Sequence, residues 1–142
     1  MPAAPSPLRL LAQDQEDLAV LSAALQDAVA KVGDIVFEAK ARRLTISFNR
    51  FRWEAGGRQR VRSALQLGGV LKVQARKIRR DRRDAIVELL AIGFEPEDAP
   101  GGILTLSFAG GGDLRVGVEC LDAVLADISE PWPTPRAPAH EA

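Results

Sequence analysis

The chain has 142 residues, of which 46% are hydrophobic and 27% charged. That composition suits one globular domain with a single core, and it excludes a disordered chain, whose few apolar side chains could not offset the ordering entropy. The 19 basic and 19 acidic residues cancel to zero, unlike a dedicated nucleic-acid-binding domain, and the single cysteine, Cys120, excludes an internal disulfide.

Met1 to Pro7 form a proline-rich lead-in and are expected to be flexible. Met1 to Ala12 holds only a short apolar run broken by Arg9, unlike a secretory signal. No stretch nears the roughly 18 apolar residues of a membrane span. Together with the lone cysteine, this suggests a cytoplasmic protein with no membrane partner.

Leu8 to Ala12 read as a short first strand. Asp14, Glu16 and Asp17 then precede Leu18, Leu21 and Leu25, an apolar spacing that predicts a helix over about 15–25. Asp14 suits its N-cap, and the two following acids suit the positive end of its dipole. From Ala28 the texture becomes β-rich. Val29 to Val32 and Ile35 to Phe37 flank Gly33-Asp34. Leu44, Ile46 and Phe48 alternate on one face, and Phe51 and Trp53 continue with shifted parity, which suggests a bulge. Val61 to Leu67 and Val70 to Ala75 surround a Gly68-Gly69 break. Ile86 to Phe94 reads as a strand with Ile86, Leu90, Ile92 and Phe94 on one face, with a helix capped by Asp84 as the alternative. Ile103 to Phe108, the turn Gly110 to Asp113, and Leu114 to Val118 give the clearest hairpin. Glu119 to Ile128 continues as strand or short helix. Glu130 to Ala142 carries four prolines and is expected to be a flexible tail without paired structure.

The fold class expected is α+β, mainly antiparallel β: a sheet, barrel or sandwich of about seven to nine strands with one N-terminal helix. Residues 8–129 would form the single domain. Within it, 29–75 and 86–128 present similar elements in similar order, since Leu44-Thr45-Ile46-Ser47-Phe48 matches Leu104-Thr105-Leu106-Ser107-Phe108. Two similar β units are one explanation. The general likeness of antiparallel hairpins is the other.

No catalytic or metal-binding constellation emerges, and no cofactor is expected. His140, the only histidine, lies in the proline-rich tail, where nothing would hold it against a substrate. Cys120 lies in an apolar run and reads as a buried structural thiol. Gly110-Gly111-Gly112 is followed by a strand and lacks a phosphate loop's lysine and helix.

Charge, in contrast, is segregated. Residues 1–39 hold two basic residues and six acids, residues 40–83 hold fifteen and two, and residues 84–142 hold two and eleven. The candidate anion- or partner-binding residues are Arg50, Arg52, Arg58, Arg60, Arg62, Arg76, Lys77, Arg79, Arg80, Arg82 and Arg83. Arginine's planar fork suits carboxylate and phosphate. Phe51 and Trp53 alternate with Arg50 and Arg52, so strand parity predicts core aromatics and a solvated basic face. That separation weakens an aromatic platform for single strands. The cations would pair with acids of the same molecule or of a second copy, meet an acidic protein partner or nucleic acid, or remain solvated.

Leu10-Leu11-Ala12 with Asp14, Glu16-Asp17-Leu18, Leu25-Gln26-Asp27-Ala28-Val29, Lys31-Val32-Gly33-Asp34, Asn49-Arg50-Phe51-Arg52-Trp53-Glu54, Phe94-Glu95-Pro96, Phe108-Ala109-Gly110-Gly111-Gly112 and Val118-Glu119-Cys120 carry a further signal. Their order resembles an uncharacterised bacterial family, chiefly alphaproteobacterial, known only as a domain of unknown function. The resemblance covers about Leu8 to Trp132. It implies a free-standing bacterial cytosolic protein and brings no residue roles. The function expected is therefore a non-enzymatic binding module with a basic central face. A self-associating structural protein, possible as a homo-oligomer, and an enzyme using carboxylate and arginine without histidine are the alternatives.

Overall fold

The computed structural model describes residues 7–135. The lead-in expected to be flexible, apart from Pro7, and the end of the tail with His140 lie outside the described residues. Chain order is β1 (Arg9–Ala12), α1 (Gln15–Ala24), β2 (Val29–Lys31), a 3-10 turn (Val32–Asp34), β3 (Ile35–Glu38), β4 (Arg43–Phe51), β5 (Gln59–Leu67), β6 (Val70–Arg76), β7 (Ile86–Pro96), β8 (Gly102–Phe108), β9 (Asp113–Val118), β10 (Ala123–Asp127) and β11 (Trp132–Pro133). The described residues thus carry eleven strands, more than the seven to nine that the sequence suggests. The additional ones are short segments, such as β2, β3 and β11, which pattern alone does not separate.

The helix forms where expected. The Asp14 carboxylate accepts from the Asp17 N–H at 2.8 Å, and Leu18 and Leu21 face inward. Ser22 accepts from the Ile92 N–H at 3.0 Å, which fastens the helix to β7.

All strand pairs are antiparallel and join one sheet in the order β1-β10-β5-β4-β2-β7-β8-β9-β6, with β3 added to β4 and β11 to β5. At the Gly68-Gly69 break the chain leaves β5, and β6 pairs with β9 instead. Conversely, β10 leaves β9 and pairs with β5. Backbone bonds from Gly68 N–H to Asp122 and from Glu119 N–H to Gly69, each 2.9 Å, hold the two crossings together. This exchange makes one core from both halves. Leu44, Ile46 and Phe48 of β4 and Leu65 and Leu67 of β5 share a buried cluster with Leu104, Leu106 and Phe108 of β8 and with Leu114 and Val116 of β9.

Four local expectations are corrected. The β4–β5 register runs unbroken from Leu44↔Leu67 to Phe51↔Arg60, so there is no bulge in β4. Register irregularities lie instead in β6, between Val70 and Lys72, and in β7, between Leu89 and Ala91, where Leu89 and Ile92 turn inward while Leu90 is 47% exposed. Cys120 is exposed because it follows the end of β9, in the turn to β10. Trp132 and Pro133 do pair, with Arg60 and Gln59, and proline is tolerated because it sits beside the strand end, where Thr134 supplies the next N–H to Arg58 at 2.9 Å.

Candidate functional site

The expected basic face does not form one exposed surface. Unbroken β4 parity carries the alternation Leu44, Ile46, Phe48 one step further, to Arg50, whose side chain points into the core and is 0% exposed. Arg52, just past the strand end, is 3% exposed and donates to the Gln59 side-chain oxygen at 2.5 Å. Both are corrections, because a buried guanidinium is not offered to a partner. The aromatics follow the opposite rule: Phe51 is buried on the far side of β4, with the half-exposed Trp53 ring 4.7 Å from its own.

Several other cations have internal acids. Arg62 meets Asp34 at 3.1 Å, Arg76 meets Asp113 at 2.5 Å, and Arg79 meets Asp81 at 3.5 Å. Arg42 pairs with Glu119, and Arg43 with Glu38 at 3.2 Å. Strand exchange brings Arg76 against Asp113 at the start of β9 and Arg42 against Glu119 just past its end, whereas Arg43 with Glu38, Arg62 with Asp34 and Arg79 with Asp81 are pairs within the first half or its loop. The exposed pairs among these stabilise little, about 0–1 kcal/mol each.

Arg50 anchors the most connected cluster. Its Nε donates to Ser63 Oγ at 3.0 Å and its Nη2 to Asp127 at 3.0 Å, while Nη1 and Nη2 hold Glu54 at 2.9 and 2.7 Å. Asp127 also accepts from Ser63 at 2.6 Å and from the Leu8 N–H at 2.8 Å. Burial alone would lower the Arg50 pKa, but the hydrogen bond to Glu54 and the charges of both acids outweigh it and raise the value. The group is a permanent cation that ties β4, β5, β10 and the start of β1 together. Its donors are satisfied, which marks it as structural.

The Arg50 hydrogen bond also holds the Glu54 carboxyl below the usual carboxylate range, against an opposing effect of partial burial. A depressed folded value means that Glu54 stabilises fully above the unfolded value, about 4.3, and loses that contribution as pH falls through the folded value. The urea midpoint of Glu54→Gln is therefore expected to lie below wild type near neutrality, with the gap closing as the pH falls below the unfolded value and through the lower folded one. A gap that is constant with pH would show that the Glu54 charge is not what matters.

The remaining cations gather differently. Arg58 donates to the Pro135 carbonyl at 3.0 Å, and Arg60 lies half-buried opposite Trp132. Lys77, Arg80, Arg82 and Arg83 occupy the exposed loop joining β6 to β7, and none of them has a carboxylate partner among the described residues. Two glycines let this loop lie close to the body. A Cβ on Gly33 would meet the Arg83 carbonyl oxygen at 3.0 Å, and one on Gly112 would meet the Lys77 carbonyl oxygen at 2.9 Å. Gly33 N–H donates to that Arg83 carbonyl at 2.8 Å.

Beside the loop is a cavity of about 240 Å³. Its walls are Ile35 and Phe37 of β3 and Val73 and Ala75 of β6, with Leu44 and Leu114 behind, and Arg80 and Arg83 at its mouth. Ile35 and Phe37 are two apart on one strand, as are Val73 and Ala75, so each strand turns one face to the opening. Sequence reasoning found the arginines and missed the apolar walls. The available signal was the Gly68-Gly69 break, which lets β6 leave β5 and end up across a gap from β3. Among the described residues no group of three or more His, Cys, Asp or Glu side chains is placed to hold a metal, and no helix is long and apolar enough to cross a membrane.

A family model described as a protein of unknown function, DUF2948, matches residues 8–140. The chain belongs to that family. No curated protein and no solved structure matches it. DUF2948 membership brings no residue roles, so the chemistry of the DUF2948 chain rests on the geometry above.

Proposed function

We propose that this protein is a non-enzymatic binding module that receives an acidic protein partner at the basic β6–β7 loop and the cavity beside it. One observation carries the reading: Lys77, Arg80, Arg82 and Arg83 have no carboxylate partner among the described residues, and two of them, Arg80 and Arg83, line an apolar opening. Elsewhere the fold supplies acids to much of its central positive charge, so an unneutralised group beside a cavity calls for a different explanation. Nucleic acid fits less well. A nucleic-acid surface combines a broad basic track with stacking aromatics, whereas here Phe37 is the only aromatic lining the cavity. A bacterial, reducing cytoplasm is part of the same proposal.

The test is a titration of the full chain with fluorescent polyglutamate and, separately, with single- and double-stranded oligonucleotides, at several salt concentrations. Polyglutamate is expected to bind at low salt, with affinity falling steeply as salt rises. Arg80→Glu/Arg83→Glu is expected to weaken it by about tenfold or more. Binding of oligonucleotides alone would overturn the choice of partner. Failure of polyglutamate to bind at low salt would overturn the reading altogether.

A further inference from the structure

The cavity is bounded by two free strand edges. β3 bonds along one side to β4, and β6 along one side to β9; neither is paired with the other. In each strand, alternate backbone N–H and C=O groups therefore point away from the existing partner and toward the opening. Such an edge is normally blunted by charge, proline or a covering element. β6 has Lys72 and Arg76. β3, Ile-Val-Phe-Glu, is apolar for three residues, with Val36 47% and Phe37 39% exposed.

The opening has fixed ends. At one end the Val70 N–H donates to the Arg42 carbonyl at 2.9 Å; at the other, Val32 and Gly33 bond to Ala85 and Arg83 at 2.9 and 2.8 Å. Between them lies the four-residue β3, about 13 Å of extended chain at 3.3 Å per residue. The volume of about 240 Å³ is below the roughly 300–1,000 Å³ usual for small-molecule sites. It suits a few side chains presented by a strand better than a compact ligand.

We propose that an extended segment of the acidic partner adds as a strand to the free edge of β3, inside the slot facing β6. This rests on the reading in the preceding subsection and specifies how the partner is held. Alternate apolar side chains of the segment cover Ile35, Phe37, Val73 and Ala75. Its backbone satisfies the free N–H and C=O groups of β3. Carboxylates at the end nearest the 3-10 turn meet Arg80 and Arg83. Main-chain bonds supply affinity in this mode, while the apolar wall and the arginines select which segment is accepted.

The probe is the synthetic hexapeptide Glu-Glu-Val-Ser-Val-Ser, whose four-residue Val-Ser-Val-Ser run matches the length of β3, with a second version carrying N-methyl groups on its serines and a third carrying them on its valines, titrated into the ¹⁵N-labelled full chain. Methylation removes backbone donors and leaves charge and side chains in place. The parent peptide is expected to bind and to slow amide exchange within 35–38. One of the two methylated versions is expected to bind about tenfold or more weakly, because only one set of alternate donors faces β3. Phe37→Asp, at a partly exposed position, is expected to keep the circular dichroism of the parent chain and to abolish binding. Equal, salt-sensitive binding of all three peptides would overturn strand addition and leave the acidic-partner reading standing. No binding of any peptide or of polyglutamate would overturn both. Exchange protection at β1 instead of β3 would overturn the location. Concentration-dependent protection of β3 without peptide, together with a dimer in sedimentation, would replace the partner segment by a second copy of the chain.

Discussion

Replacing Arg50 by methionine is expected to destabilise the protein by about 3–5 kcal/mol, measured by urea unfolding near neutral pH. The change removes the guanidinium that Asp127 contacts at 3.0 Å, while the Asp127 side chain stays buried at 3% exposure. An unpaired buried carboxylate carries its full desolvation cost. Ser63 and the Leu8 N–H still bond to Asp127 and soften the loss without cancelling the charge. The informative comparison is the double variant Arg50→Met/Asp127→Leu. If the single-variant cost comes mainly from the stranded charge, removing both charges recovers at least about 2 kcal/mol, because apolar replacement of a buried ion pair is often close to neutral. Recovery stays incomplete, since Ser63 and Leu8 then lose an acceptor. A single variant costing less than about 1 kcal/mol would mean that water reaches the site and that the cluster is not part of the core.

The fate of Arg50 also shows where reading the sequence succeeded and where it failed. Leu44, Ile46 and Phe48 announced the inward face of β4 by alternation alone. The same alternation pointed to Arg50 as the next inward position, but the apolar Phe51 and Trp53 invited a bulge that would send the arginines to solvent. A period-two pattern has no means of choosing between an inward charge with partners and a shifted register. The deciding partners, Asp127 and Glu54, lie 77 and 4 positions away. Asp14 and the helix were readable because capping and i, i+3/i+4 spacing are local. The exchange of β6 and β10 was not, because strand partners depend on distant contacts. The Gly68-Gly69 break marked where a strand could leave its neighbour, without saying which neighbour it would join.

Charge segregation along the chain follows from the same exchange. When two halves trade their final strands, residues far apart in sequence become cross-strand neighbours, and opposite charge in the two halves then becomes local pairing. Arg76 with Asp113 lies directly in the β6–β9 register, while Arg43 with Glu38, in that of β3 and β4, is a local hairpin pair. Such pairs add little stability each, but like charges at the same positions would repel, so they favour this pairing over alternatives. At the β6–β7 loop, four cations without a carboxylate partner among the described residues, Lys77, Arg80, Arg82 and Arg83, fall within seven consecutive positions.

The single core shared by both halves leads to the second large effect. Leu104→Ala is expected to cost about 2–5 kcal/mol, whereas Ile103→Ala, one residue earlier on the same strand, is expected to cost about 1 kcal/mol or less. Leu104 is fully buried and belongs to the cluster that includes Leu44 and Leu65 of the other half. Ile103 lies on the opposite face of β8, half-buried over an outer groove beside Gly117 and Lys72. The two positions share a strand, similar apolar size and the same neighbours in sequence, so propensity cannot separate them. Only burial against the other half does. Because Leu104 joins both halves, its loss is expected to lower the midpoint of one cooperative transition seen alike by fluorescence of Trp53 and Trp132 and by far-ultraviolet circular dichroism. Two separated transitions would show that β7–β9 melts as an independent unit, and similar costs for the two variants would mean that β8 does not face a common interior.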